Sequence, residues 1–326
     1  MEHFRSRRRM MRWLVALVAG VVAPAWAADP YPARSVRLVV PYSAGGGTDV
    51  LTRPLAQRLA EITGQSFVVD NKPGADASIG AALVAKAPPD GYTLVAVSGV
   101  PFVLNQSAYK DLPYDTMRDL VPVAVFSSLP MVIVSAPGLK VDSAKDLVAY
   151  AKANPKKLNY AGTDQMTYLG MEMLAKGTGT EMTYIPYKGA GPALTDLLGN
   201  HISLMLASVS SAIPYIKEGR LNALAVASEK RAKALPEIPT VAETILPGYE
   251  LTAWFGIFAP AGTPPAVVDK LAADIAAALA TPALRERLEA LGADTTFIGP
   301  AAFRGFLDKE YARWTRAFKD SGLKPQ

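Results

Sequence analysis

VRLVVPYSAGGGTDVLTR, residues 36–53, decides how the rest of the chain is read. Val36, Leu38, Val39 and Val40 form a short apolar, β-branched run, the pattern of a strand covered on both faces. Pro41 ends it. Gly45, Gly46 and Gly47 follow, free to take backbone conformations that other residues avoid. Thr48 and Asp49 are N-cap candidates for a helix over 50–63, in which Val50, Leu51, Leu55 and Leu59 recur at helical spacing and Gly64 is the stop. Pro54 lies early enough in that helix to be tolerated but is expected to kink it. Amide N–H groups exposed in such a junction, at the positive end of a helix, attract an anion.

Outward from this stretch the same rhythm repeats. Residues 66–70 read as a strand, 80–87 as a short helix and 92–97 as a third strand, an order that implies a parallel sheet with helices on both faces. Residues 100–121 read as irregular, and 121–126 and 131–135 as two strands. Strands over 158–161, 183–186, 202–207 and 221–227 then alternate with helices, giving a second α/β module. Residues 229–249 are loop-rich, with Pro236, Pro239 and Pro247. The remainder, a buried strand over 251–258 followed by helices over 264–280, 282–291 and 300–319, has few strands of its own and returns to the first module. The expected fold is therefore α/β with two domains, 28–126 plus 252–326 and 127–251, joined by two crossovers near residues 126 and 252. A ligand would lie in the cleft outside the carboxyl ends of the strands.

The chain has 326 residues, half of them hydrophobic, enough for two cores. Residues 1–27 stand apart. Arg5, Arg7, Arg8, Arg9 and Arg12 form a basic head, an apolar run covers 14–22, and Ala25-Trp26-Ala27 fits signal peptidase, so this reads as a secretory signal peptide cleaved near Ala27, by the general or the twin-arginine route. Its five Arg against one Glu make +4 of the chain's +5, leaving about +1 elsewhere, which removes any charge argument for nucleic acid. There is no Cys, and His201 is the one His after that segment, so Cys nucleophiles and Cys-based zinc sites are excluded.

Three further strand–helix turns resemble the first: Pro73 to Ser78 including Ala77, Ala161 to Gln165 including Thr163 and Asp164, and Pro186 to Ala193 including Gly189, Ala190 and Gly191. Together they suggest an anion clamp built from main chain across two modules. Rival chemistries fit poorly. G-x-G-x-x-G from Gly45 requires glycine where Val50 stands, although Asp70 ends the second strand where a ribose-binding acid would sit. The Gly-Lys-Ser/Thr of a P-loop and the G-x-S-x-G elbow of a hydrolase are absent. A Ser–His–acid triad would have to recruit His201, which reads as a turn residue, and Asp111 and Asp115 read as solvated loop acids. Lys188 is the one basic residue in a candidate motif, either a carboxylate counter-charge or a solvated lysine. Tyr42, Tyr168, Tyr187 and Trp254 read first as packing residues.

As a set, PYSAGGGTDVLTR, VVDNKPGADASIGA, APPDGYTL, IPYKGAGPALTDLLGN and ALPEIPTVAE, in this order, resemble the Bug family, the extracytoplasmic solute-binding proteins of tripartite tricarboxylate transporters. The resemblance implies a periplasmic-binding-protein (Venus flytrap) fold, without catalysis or cofactor, that closes on a small organic acid. It implies as partners the membrane components of such a transporter, with the receptor itself a monomer. It places Tyr42, Ser43, Ala44, Gly46 and Asp49 in the first-domain ligand loop and Gly189, Ala190 and Gly191 in the second, with main-chain amides and ordered waters carrying carboxylate recognition. Asp49 then braces its loop by accepting amide hydrogen bonds. Ala77, Ser78, Thr163 and Asp164 complete the candidate site. The chain departs from the family pattern at Tyr168, where His is common, and at the acids Asp76 and Asp164, of which Asp76 is expected to face solvent. The rival from another class is an exported α/β hydrolase acting on a carboxylate or ester.

Overall fold

Val36, Leu38, Val39 and Val40 are fully buried, as their pattern requires, and form β1 (Val36–Val40) in a computed structural model that describes residues 31–187 and 189–325. The expected signal segment and Lys188 lie outside the described residues. Residues 34–326 form one compact unit, built on two sheets that share a strand.

In the first sheet β1 lies between β2 (Phe67–Asn71) and β3 (Thr93–Ser98), parallel to both. β3 continues through the antiparallel β9 (Thr252–Pro260) to β4 (Leu120–Ser135), and β10 (Asp294–Ile298) adds antiparallel to β4. In the second sheet the last residues of β4 pair antiparallel with β7 (Leu204–Ser208) and β8 (Asn222–Val226). Beyond β7, β5 (Asn159–Gly162) and β6 (Thr183–Pro186) run parallel to it.

β4 is one strand, not the two expected over 121–126 and 131–135. Its prolines read as breaks, but Pro122 sits at a register shift against β9, and Pro130 is the last residue paired with β9 before Met131 takes Ser208 as partner. At such irregular positions a missing N–H costs little. The chain passes between the sheets here and again at Leu251–Thr252, where the Leu251 N–H still donates to the Ala227 carbonyl while Thr252 already pairs with Pro130.

The helices follow the strands. α1 (Gly47–Thr63) and α2 (Ser78–Ala85) connect the parallel strands, and α3 (Gly99–Ala108) follows β3. α4 (Thr116–Asp119) precedes β4, and α5 (Ala144–Ala153), α6 (Gln165–Thr178), α7 (Ala190–Leu198) and α8 (Val209–Lys217) serve the second sheet. α9 (Val241–Thr244) lies in the loop-rich segment. α10 (Pro265–Leu279) and α11 (Pro282–Ala290) pack on α1, and α12 (Pro300–Asp320) packs on α3, so the C-terminal helices cover the first sheet.

α3 corrects the expectation of an irregular 100–121. Gly99 and Pro101 read as punctuation, yet Pro101 falls in the first turn, where its missing N–H has no helical acceptor to lose. Gly99 is there for space: a Cβ would stand 2.1 Å from the buried Trp254 ring. Gly99→Ala is therefore expected to cost about 1–3 kcal/mol through overpacking, read as an earlier urea midpoint at unchanged slope.

Candidate functional site

The carboxyl ends of β3, β5 and β7 converge on a cavity of about 210 Å³ between the two sheets. From the first sheet come Ser98 and Pro101, at the β3–α3 junction, and Ala253 of β9. Leu129 and Met131 of the shared strand form its floor. From the second sheet come Thr163, Asp164, Met166 and Thr167, then Ala190, then the end of β7 from Met205 to Ser208.

The helices that follow β1, β2, β3, β5, β6 and β7 differ in how their first amides are satisfied. At α6 the Thr167 N–H donates to Asp164 Oδ1 at 2.8 Å, and the Thr167 hydroxyl accepts from the Thr163 and Asp164 amides at 3.0 and 3.2 Å. This is a closed capping box, in which the negative charge of Asp164 is held against its own helix. At α8 the Ser208 hydroxyl accepts from the Ser211 N–H. By contrast α1, α2, α3 and α7 begin at Gly46, Ala77, Ser98 and Gly189 with no side-chain cap. Uncapped helix starts leave N–H groups at the positive end of the dipole for a ligand or water. Three come from the first sheet and one from the second.

The first turn is held by one buried acid. Asp49 is 2% exposed. It lies inside the first turn of α1, which starts at Gly47, so Thr48 and Asp49 are not N-caps as their type suggests; Gly46 is. The carboxylate reaches back to accept from the Gly45 N–H at 2.8 Å and also takes Arg53 Nε at 2.9 Å and the Asn71 side-chain amide at 3.0 Å. Burial pushes its pKa up, but Arg53, Gly45 and Asn71 together outweigh it and hold the carboxyl below its ordinary range. The same Asn71 amide donates to the Tyr42 carbonyl, and the Tyr42 hydroxyl donates to the Ser98 carbonyl at 3.3 Å. One network thus ties the glycine turn to β2 and to the wall of the cavity. Burial, with Tyr114 adding to it, raises the Tyr42 phenol, which stays a neutral donor.

The turn before α2 carries three successive non-glycine residues at positive φ, Ala75, Asp76 and Ala77. Such backbone costs about 1–3 kcal/mol per residue and persists only when neighbours fix it. Here the Asn105 amide donates to the Asp76 carbonyl at 2.5 Å and the Tyr109 hydroxyl donates to the Asp76 carboxylate. Asp76, expected to face solvent, is exposed but engaged in bracing its turn against α3. Burial, followed by Asp76, pushes the Tyr109 phenol up to about 12.

Of the residues singled out from sequence, Thr163, Asp164 and Ala190 line the cavity, with Gly189 and Gly191 on either side of Ala190. Tyr42 reaches it through Ser98. Ser43 and Ala44 form the exposed crest of the first turn with Gly46 beside them, while Asp49, Ala77 and Ser78 are buried behind the turns. None of these six is in the cavity lining. Sequence reasoning missed Ser98 and Ser208, although both are a serine ending an apolar strand just before a helix. It also missed Met131, Met166 and Met205, which nothing short of the fold brings together. Tyr168 packs tilted against Tyr184, 4.7 Å between ring centroids, and is not in the cavity lining, and Trp254 is core. His201 lies in an exposed turn after α7. Among the described residues no His, Lys or Arg lines the cavity, and no cluster of metal-ligating side chains occurs.

Comparison with known proteins bears on the family and the fold. Residues 51–323 match the family model of the tripartite tricarboxylate transporter family receptor. Protein BugT of Bordetella pertussis is 38% identical over 309 residues, covering 94% of each chain. Among solved structures, the R. palustris protein Rpa4515 with adipate is 36% identical at a TM-score of 0.75, over 91% of this chain and all of that one. MatC from Rhodopseudomonas palustris with bound malate is 30% identical at a TM-score of 0.71, over 88% of this chain and 99% of that one. The fold is the two-domain α/β fold of periplasmic binding proteins.

Proposed function

This chain belongs to the tripartite tricarboxylate transporter receptor family and is a solute-binding protein rather than an enzyme, and from that premise we propose that it captures a small organic acid between its two lobes in the periplasm and delivers it to the membrane components of such a transporter. The domain bounds of this reading are 28–126 plus 252–326 and 127–251, following a signal peptide cleaved near Ala27, and the receptor acts as a monomer. Closure is a rotation of the lobes about β4 and the Leu251–Thr252 crossing.

The observation that carries the reading is the opposition of two uncapped helix N-termini, α3 on one lobe and α7 on the other, at a cavity that no basic side chain lines among the described residues. A carboxylate held by Tyr42, Ser43, Ala44 and Gly46 on one side and by Gly189, Ala190 and Gly191 on the other would satisfy those amides, directly or through water. Ala77, Ser78, Thr163 and Asp164 frame the site, and Asp49 shapes the first loop. Relatives bind adipate and malate, acids within this class. Among the described residues no helix is long and apolar enough to cross a membrane, which suits a receptor that meets its transporter from outside.

The test is a thermal-shift screen of the protein without its first 27 residues against mono-, di- and tricarboxylates. A ligand at 100 times its Kd adds about 2.7 kcal/mol, which raises Tm by roughly 4 °C in a chain of this size. No shift across the whole panel, or chemical turnover of a compound that does bind, overturns the proposal.

A further inference from the structure

We infer that the acid carries a single carboxylate on an apolar aliphatic or aromatic body, and that this body sits on a methionine floor between the lobes; the inference rests on the carboxylate-binding reading above. The floor and inner wall are Leu129, Met131, Met166, Met205 and Ala253. Met131, Met166 and Met205 are all buried, and they arrive from the shared strand, from α6 and from β7. Thioethers on flexible stems adapt to an apolar guest and make favourable contacts with aromatic rings. Apart from the Asp164 carboxylate, the polar side-chain atoms of the cavity are hydroxyls, those of Ser98, Thr163, Thr167 and Ser208, and much of their hydrogen bonding is internal: Thr167 to the α6 capping box, Ser208 to Ser211.

Charge decides the rest. Among the described residues the one ionisable side chain lining the cavity is Asp164, an acid. A second carboxylate pushed onto this floor would lose its water, meet no cation among the described lining residues, and face Asp164, a combination that strongly disfavours burial. The available anion donors are the uncapped helix starts at the turns, and the exposed Ser43 and Ala44 crest belongs to one of them. The head of the ligand therefore lies toward the turns and its tail toward the methionines. The size fits: an apolar cavity of about 150 Å³ already accepts benzene, so 210 Å³ holds one ring or a five-carbon chain beside a carboxyl group.

A matched pair tests this. Hexanoate and adipate share six carbons and differ in the second carboxylate. Titration calorimetry is expected to give hexanoate at least tenfold the affinity of adipate, with benzoate also ahead of malate and citrate. From butanoate to hexanoate each added methylene is expected to tighten Kd about fourfold. In Met166→Gln, close in size, hexanoate is expected to weaken about tenfold, with circular dichroism confirming the fold. Adipate, malate or citrate binding as tightly as hexanoate and benzoate, or a flat methylene series, overturns the inference and leaves the carboxylate receptor standing. Silence from every acid overturns both.

Discussion

Glu310→Ala is expected to cost about 3 kcal/mol, a large share of the total for a protein of ordinary stability, because it orphans two buried indoles at once. Glu310 is 3% exposed on the inner face of α12. Its Oε2 accepts from Trp254 Nε1 at 2.8 Å and from Trp314 Nε1 at 3.2 Å, and Oε1 takes the Arg313 guanidinium. Arg313 keeps Glu250 as a second partner at 3.1 Å, so the indoles bear most of the loss. Trp254 is fixed edge-on to Phe303 and Phe306 and fills the space that Gly99 leaves open. Loosening it therefore loosens the start of α3, where Ser98 and Pro101 line the cavity. Glu310→Gln keeps an acceptor for one indole and is expected to lose about half as much.

The pH response of this pair has a definite sign. Burial dominates and raises the Glu310 carboxyl above its ordinary value, against the lowering pull of Arg313 and the two indoles. A raised folded-state pKa gives stability that is fully present below the unfolded value, about 4.3, and is lost as pH rises through the folded one. Gln cannot titrate. The stability gap between wild type and Glu310→Gln should thus widen on going from pH 7 toward pH 4, measured as urea midpoints at each pH. A gap that narrows rules out a raised carboxyl.

The parts legible in the sequence were those governed by local rules. An apolar run ended by Pro41 and a glycine turn gives β1 and α1 because burial and backbone freedom act over a few residues. The parts misread were those where a long-range partner overrides the local preference. Gly99 and Pro101 look like breakers until Trp254 occupies the space beside Gly99 and the first turn absorbs Pro101. Pro122 and Pro130 look like strand ends until β9 supplies a register shift at one and a change of sheet at the other. Thr48 and Asp49 look like caps, yet Asp49 gains more by reaching back to Gly45 while pairing with Arg53 and Asn71. The site divides the same way. Gly189 and the first glycine turn announce themselves by composition, whereas the methionine floor comes from three elements far apart in the chain and shows no local pattern.

Asp49→Ala should lower affinity and stability together, and that coupling distinguishes a brace from a ligand contact. The carboxylate is an acceptor for Gly45, Asn71 and both ends of the Arg53 fork, the second at 2.8 Å. Arg53 is half exposed and regains water when its partner goes, so its share of the loss is small. The Gly45 amide and the Asn71 side chain remain, and hydrogen bonds to a charged acceptor are worth about 1.5–3 kcal/mol each, which gives roughly 2–3 kcal/mol after solvent recovers part of it. The turn also needs Gly45 at φ +78°, a conformation its own sequence does not enforce. Without the brace the crest around Ser43, Ala44 and Gly46 must be ordered by the ligand, at about 1–2 kcal/mol per residue, so Kd should rise by tenfold or more. The acid limb of stability should change as well. The Asp49 pKa is lowered in the fold, so its contribution is present above the ordinary aspartate value, about 3.9, and is lost as pH falls through the folded one. Asp49→Ala should flatten that limb below about pH 4, opposite in sign to Glu310. Titration calorimetry with a bound carboxylate, beside urea melts from pH 3 to pH 7, reads all three effects. If affinity collapses while the melts match wild type, Asp49 touches the ligand and the brace is refuted. If the melts shift and affinity holds, the crest of the first turn is not part of the carboxylate site.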